Sequence, residues 1–273
     1  MAAPPPTDSA DADDHATEGR APAPRTLTIL GCDGSYAGPG GAGSGYLVED
    51  GTTAVVLDLG PGTFSHLQQV IDPGEVDAVF LSHEHPDHWS DLESFAVWLL
   101  HHSGGRPLAV HAPPGLRKYC YFAERSVLEW HEREPSDVVP AGSLTLRFVA
   151  TDHGPPTLSV RVDSQTGETP PEAPDPARAI AFSADSGFDW SVEELGSGIG
   201  TFLCEATFLR DNEGKFHHMS GRQAGTMARE AGVGRLVLTH RLPTVAADAV
   251  AAEAEEHFGR PVHQAEIGRV FEW

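Results

Sequence analysis

Positive charge is scarce in this chain of 273 residues: 18 lysines and arginines face 40 aspartates and glutamates, a formal charge of -22 with histidine neutral. A field of that sign opposes long nucleic acids and anionic membranes, which would have to approach against it. Cysteine is scarcer still. Cys32, Cys120 and Cys204 are an odd number, widely spaced and without a CxxC pair, which argues against a disulfide framework or a cysteine-built zinc site and for a reducing, cytoplasmic compartment. Long apolar runs are missing too. The densest, Phe95 to Leu100, is core-sized and far short of the roughly 20 residues a membrane helix needs. The opening MAAPPPTDSADADDHATEGRAPAPR has neither a basic start nor an apolar stretch, so it does not read as a secretory signal.

What is present suffices for a core, since 40% of the residues are apolar. Residues 1–25, Pro, Ala and Asp with almost nothing to bury, read as a disordered acidic tail, leaving 26–273 as the folded unit. From Thr26 the texture changes to short β-rich runs broken by glycine: TLTILG, the loop GCDGSYAGPGGAGSG, YLVED and TTAVVLDLG. Alternation follows, with a helix expected over Thr63 to Ile71, a buried strand VDAVFLS, a helix over Leu92 to His101, a strand PLAVHA, and one or two short helices between Pro113 and His131. A second β-rich block (SLTLRFVA, TLSVRV, ARAIAFS) is interrupted by DSQTGETPPEAPDPA, read as a surface loop. Strand TFLCEATF, helix Gly221 to Ala231, strand RLVLTH, helix Ala246 to His257, PVHQAEI and RVFEW complete the chain. Two strand-rich blocks, each followed by strand and helix alternation, predict sheets inside and helices outside: one four-layer αββα sandwich, an α/β single domain of two architecturally similar halves.

The segment Ser82-His83-Glu84-His85-Pro86-Asp87-His88 stands out, directly after the buried strand. Three imidazoles and Asp87 at a strand end supply the nitrogen and oxygen donors that metals such as zinc take. His83 and His85, two apart in extended chain, point to one side and can share an ion, while Asp87 and His88 on the next turn can reach a second. The plain alternative, a polar loop in a chain with 15 histidines, loses ground because His153, Asp185 and His240 each follow an apolar strand, where residues distant in sequence converge on one sheet edge.

The HxHxDH loop formed by His83, His85, Asp87 and His88 resembles that of the metallo-β-lactamase fold hydrolases. The resemblance implies one divalent metal ion held by His83, His85 and His153, a second by Asp87, His88 and His240, with Asp185 between them; zinc is the expected metal and manganese the alternative. Asp185 stands where β-lactamases of this fold place a cysteine, and His85 where the redox di-iron members have glutamate, so neither activity is expected. LCEATF with Glu205, followed by His218-Met219-Ser220-Gly221-Arg222-Gln223-Ala224, resembles the HEATF and HxTxxQA pair of ribonuclease Z and its relatives. A histidine oriented by a carboxylate can protonate a leaving alkoxide; the alternatives are a strand-end carboxylate paired with arginine and a helix-start histidine.

Ribonuclease Z itself fits poorly. Only 31 residues separate His153 from Asp185, too few for a long basic arm, and they include Asp163, Glu168, Glu172 and Asp175. LTILGCDGSYAGPGGAGSGYLV, HMSGRQAG, LVLTHRLP and PVHQAEIGRVFEW resemble instead the cyclic-nucleotide phosphodiesterases of this fold, sometimes called atypical class II. The expectation is hydrolysis of a small anionic phosphodiester, a 3′,5′-cyclic nucleotide, by a hydroxide bridging two ions, with Asp87, Glu205 and His218 as catalytic residues. Thioester or lactone hydrolysis is the alternative on the same fold; transfer RNA 3′-end cleavage and a non-catalytic metal-binding role rank below it, and homodimerisation stays open. Asp58 is a candidate partner for a ligand histidine or a turn former, Trp89 a candidate stacking surface or core, and the Gly31 to Gly45 loop a candidate phosphate approach. His101, His102, His111, His131, His217, His257 and His263 have no supporting context.

Overall fold

The computed structural model describes residues 24–102, 106–165 and 179–273. The tail expected over 1–25 and the expected Pro- and acid-rich loop therefore lie almost wholly outside the described residues.

Glycine-punctuated β runs open the fold as an antiparallel meander of β1 (Thr26–Gly31), β2 (Gly45–Glu49) and β3 (Ala54–Leu59). Parallel strands need crossovers, and helices supply two of them: β3 leads through α1 (Thr63–Val70) to β4 (Ala78–Phe80), and β4 through α2 (Leu92–His102) to β5 (Leu108–Ala112), with β6 (Leu128–Glu132) parallel beyond. The second half repeats the plan. β7 (Val138–Ala141), β8 (Leu144–Ala150), β9 (Leu158–Ser164) and β10 (Ala179–Phe182) pair antiparallel. β11 (Thr201–Glu205), α3 (Gly221–Glu230), β12 (Arg235–Thr239), α4 (Ala247–Phe258) and β13 (His263–Gln264) continue it in parallel, and β14 (Val270–Glu272) closes the chain.

The described strands form two seven-stranded sheets, ordered β14-β1-β2-β3-β4-β5-β6 and β13-β12-β11-β10-β9-β8-β7. Three buried clusters show how they stack. Leu27, Tyr46, Leu57 and Phe80 meet Leu146, Phe148, Val160 and Phe182 between the sheets. Leu59, Val79 and Val110 pack on Phe64, Leu67 and Phe95 of α1 and α2 outside the first sheet. Phe202, Cys204 and Leu236 pack on Ala224, Met227, Val250 and Phe258 of α3 and α4 outside the second. Three apolar interfaces make four layers, and because both faces of the inner strands are covered, β3, β4 and β11 read as continuous apolar runs, not as alternations.

One expectation needs correction. Between Pro113 and His131 there is a single 3-10 turn, Leu116–Tyr119, and then β6. In that strand Leu128 and Trp130 pack on the helix side while Glu129 and His131 alternate away, a period of two in residues that also favour helices. The single-domain reading holds: β14, from the end of the second half, pairs antiparallel with β1 at the edge of the first sheet and so joins the halves.

Candidate metal centre and its acid–base pair

Parallel strands present their carboxyl ends along one edge, and all the candidates gather there. His83, His85, Asp87 and His88 follow β4, His153 follows β8, Asp185 follows β10, Glu205 ends β11 and His240 follows β12. Two of the strand-end residues, Asp58 and His240, hold φ of 59° and 51°, left-handed values that turn the chain sharply and are rare outside glycine. Glycine allows the loops to close. A β-carbon on Gly60 would collide with the Asp87 carbonyl oxygen, and one on Gly34 with the backbone of His240. The Gly31 to Gly45 loop thus packs against the histidine segments; Ser44 N–H donates to the Asp87 carbonyl at 3.0 Å.

The donor atoms form two groups. In the first, His83 Nε2 and His153 Nε2 lie 2.9 and 3.2 Å from His85 Nδ1, and 3.5 and 3.8 Å from Asp185 Oδ2. In the second, His88 Nε2 and His240 Nε2 are 3.1 Å apart, each 3.2 Å from Asp185 Oδ1 and 3.4 and 3.3 Å from Asp87 Oδ2. Ligands at about 2.0–2.2 Å around a tetrahedral zinc lie roughly 3.3 Å from one another, so these spacings suit a shared cation better than hydrogen bonds among imidazoles. Asp185 Oδ1 makes the same point. It is buried and lacks a hydrogen-bond partner although two histidine nitrogens stand 3.2 Å away, an orphan that a divalent cation would satisfy. His85 is exposed whereas His83, His88 and His240 are buried, so the first group opens to solvent. The cluster carries the donors of a divalent-metal site.

Electrostatics agree with that chemistry. Burial, with His88, His153 and His85 beside it, holds His83 well below the ordinary imidazole value, keeping its lone pair available. Burial works against a charge on His88, but Asp185 and Asp58 more than reverse it and hold its pKa well above the ordinary value. A dication facing the same carboxylates would take that proton's place. Asp87 and Asp185 stay below the usual carboxylate range despite burial, through His240 and His88 for both and His83 for Asp185.

Each buried or half-buried histidine has its far nitrogen engaged, the arrangement that fixes a ligand's tautomer. Asp58 Oδ2 lies 2.7 Å from His88 Nδ1 and accepts from Ser82 Oγ at 2.8 Å, while Ser82 N–H donates to its other oxygen at 2.7 Å. Ser82 Oγ also sits 3.0 Å from His83 Nδ1. His153 Nδ1 lies 3.0 Å from the His217 carbonyl oxygen, and His240 Nδ1 3.0 Å from Thr207 Oγ1.

Beside the metal groups stands the second constellation. Glu205 is fully buried with no arginine ion-paired to it among the described residues; His218 Nδ1 lies 3.0 Å from its Oε1 and 4.0 Å from Asp185 Oδ2. Burial opposes a charge on His218, but Glu205 outweighs it and raises the pKa to about 9. The structure thus brings all the expected site residues to one edge. Trp89 is core, buried with Nε1–H donating to the Glu84 carbonyl at 2.9 Å. His217 does have a context: its carbonyl holds His153, and its ring is 3.3 Å from Asp152. No spacing signals that role. Nor does any spacing signal the part of Thr207, which lies inside the LCEATF motif and contacts Glu205 and His240.

Residues 53–241 match the family described as "Beta-lactamase superfamily domain". An uncharacterized protein of Mycobacterium tuberculosis (strain ATCC 25618 / H37Rv) is 33% identical over 263 residues, 90% of this chain and 91% of its own. YhfI of Bacillus subtilis, a probable metallo-hydrolase, is 27% identical over 252 residues, 90% of this chain and 99% of that protein. The YhfI crystal structure superposes with a TM-score of 0.81 at 25% identity, covering 92% of this chain and 99% of that one. Ribonuclease Z of Methanopyrus kandleri is 29% identical over 261 residues, 85% of this chain and 92% of its own. With the four layers, the strand-edge donor groups and these relatives in view, the chain belongs to the beta-lactamase superfamily, as a metallo-β-lactamase fold metallo-hydrolase of the ribonuclease Z-like branch.

Proposed function

We propose that this metallo-hydrolase cleaves a small phosphodiester, a 3′,5′-cyclic nucleotide. The observation that carries the reading is the His218–Glu205 contact of 3.0 Å beside Asp185, because breaking a phosphodiester expels an alkoxide that needs a proton and this pair can deliver one at neutral pH. Two divalent cations, zinc or manganese, held by His83, His85 and His153 and by Asp87, His88 and His240 with Asp185 shared, would supply Lewis acidity to the phosphate and lower the pKa of a water.

The chain's own residues do the rest. Asp58 and Ser82 orient His88 and His83. Glu205 keeps His218 protonated and aimed at the edge where the leaving oxygen would sit. Phe216, 58% exposed and stacked at 5.3 Å on Phe208, which itself stands edge-on to His218 at 6.0 Å, offers a ring to a planar base. A ribonuclease among the relatives supports phosphodiester chemistry, and the charge of -22 favours a small substrate over a long polyanion.

The test is turnover of cyclic AMP, cyclic GMP, bis(p-nitrophenyl) phosphate, a thioester and a lactone, with zinc or manganese added. Cyclic-nucleotide turnover, abolished by chelation and restored by metal, is expected. Activity confined to the thioester or the lactone would overturn the reading.

A further inference from the structure

The Thr207 side chain hydrogen-bonds into both constellations. Thr207 is fully buried, two residues beyond Glu205, and its single hydroxyl lies 2.7 Å from Glu205 Oε2 and 3.0 Å from His240 Nδ1. The direction of these bonds follows from chemistry. Glu205 also accepts from Ser186 N–H at 2.7 Å, Met219 N–H at 3.1 Å and His218 Nδ1 at 3.0 Å, and an ionised carboxylate can only accept. The Thr207 proton therefore goes to Oε2, by the shorter of its two donating options, the other being the His240 carbonyl oxygen at 3.0 Å. Towards His240 the hydroxyl then has only lone pairs, so Nδ1 must carry a ring proton, and in the neutral ring that leaves Nε2 bare. Nε2 is the atom that faces His88, Asp87 and Asp185.

We infer that Thr207 is a positioning residue that ties the metal-binding ring of His240 to the Glu205–His218 pair through one oriented hydroxyl. The contrast with its neighbours makes the role specific: His88 leans on the Asp58 carboxylate and His153 on a backbone carbonyl, that of His217, whereas Thr207 links a metal-binding ring to Glu205 through a side-chain hydroxyl. Thr207 passes the requirement on. The hydroxyl that donates to Glu205 also selects the metal-binding tautomer of His240, and a displaced His240 disturbs one of the supports of Glu205. The half of the inference that concerns His218 rests on the phosphodiesterase reading; the half that concerns His240 does not.

The experiment separates the two. In metal-free wild-type protein, imidazole nitrogen NMR, with His240 assigned by its loss in His240→Gln, is expected to show His240 protonated at Nδ1; a His240 protonated at Nε2 overturns the inference without any variant having to fold. Thr207→Val, which keeps the shape and removes the hydroxyl, is expected to weaken zinc affinity roughly 10–100-fold, the usual effect of losing a ligand's supporting partner, and Thr207→Ser to restore it. Wild-type zinc affinity in a folded Thr207→Val overturns the metal half. On bis(p-nitrophenyl) phosphate at saturating zinc, Thr207→Val is expected to lower kcat with KM little changed and Thr207→Ser to recover it. If no phosphodiester is turned over at all, the proposed activity fails while the NMR and zinc measurements still decide the inference.

Discussion

His218 is a residue whose charge is set chiefly by Glu205, with Asp185 adding to it. Its pKa is raised to about 9 because the Glu205 carboxylate overcomes the burial that would otherwise lower it. A folded-state value above the ordinary 6.5 means that the pair stabilises the fold fully below about 6.5, and that this contribution fades as pH rises through about 9. In metal-free protein, NMR titration of His218 should give a value near 9 that falls in Glu205→Gln; an unmoved value would mean that Glu205 is not the cause. His218→Ala should lose about 10²–10⁴-fold in kcat, the usual worth of a positioned acid, with metal content kept; unchanged turnover would remove the role. Phe216→Ala should raise KM for cyclic nucleotides several-fold, in the range of a lost stacking contact of ~1 kcal/mol, and leave KM for bis(p-nitrophenyl) phosphate less affected. At this scale the sequence was most informative where a residue type is demanded by the chemistry, as with His83, Asp185 or His240. It was silent on Thr207 and His217, whose parts depend on a hydroxyl direction and a backbone carbonyl that no motif encodes.

The elements were legible where pattern and burial agree. The long helices α2 and α4 and the apolar strands β3 and β12 fall within a residue or two of their sequence readings. The stretch after β5 is a strand where the sequence suggests helix, because LEWHE carries helix-favouring residues whose alternation acts only once β5 is there to pair with it. That strand pair also holds a testable polar contact. His111 on β5 is 5% exposed, accepts from Arg133 Nε at 3.0 Å and stacks on His131 at 5.2 Å. Burial, then Arg133 and His131, depress its pKa to about 4. Because this folded value lies below the ordinary 6.5, stability is intact above pH 6.5 and falls as pH drops towards 4, by up to ~3 kcal/mol. Urea titrations at pH 7 and pH 4.5 should show that loss, and His111→Gln should reduce it; an equal loss in the variant would place the acid sensitivity elsewhere. The loops obey a harder constraint. Gly60→Ala puts a β-carbon into the Asp87 carbonyl, and should both lower the melting temperature and reduce metal content, whereas a variant with unchanged metal binding would show that the Asp87 loop can shift freely.

Across the whole molecule, acidic residues outnumber basic ones, and the excess acts on whatever approaches the site. With a net charge of -22, an anionic substrate approaches a repulsive shell before meeting the candidate metal edge. Screening should help it: KM for a cyclic nucleotide is expected to fall as ionic strength rises from about 0.01 to about 0.15 M, where the Debye length shrinks from about 30 to about 8 Å. A KM that rises instead would mean that attraction dominates the approach. The four-layer architecture was readable from two strand-rich blocks because inner sheets must cover both faces, but the strand exchange was not. β14 is three residues long and pairs with a strand more than two hundred residues earlier, so nothing local announces it.

That exchange gives the molecule a mechanical character. Thr26 lies opposite Glu272, Leu27 opposite Phe271 and Thr28 opposite Val270, and Trp273 N–H donates to the Arg25 carbonyl at 3.2 Å. A force drawing residues 25 and 273 apart therefore loads these rungs one at a time, like a zip, and not together in shear. The first sheet should yield at this edge under low tension, pulling Phe271 out from between the sheets while the strands that carry the histidines still bear no load.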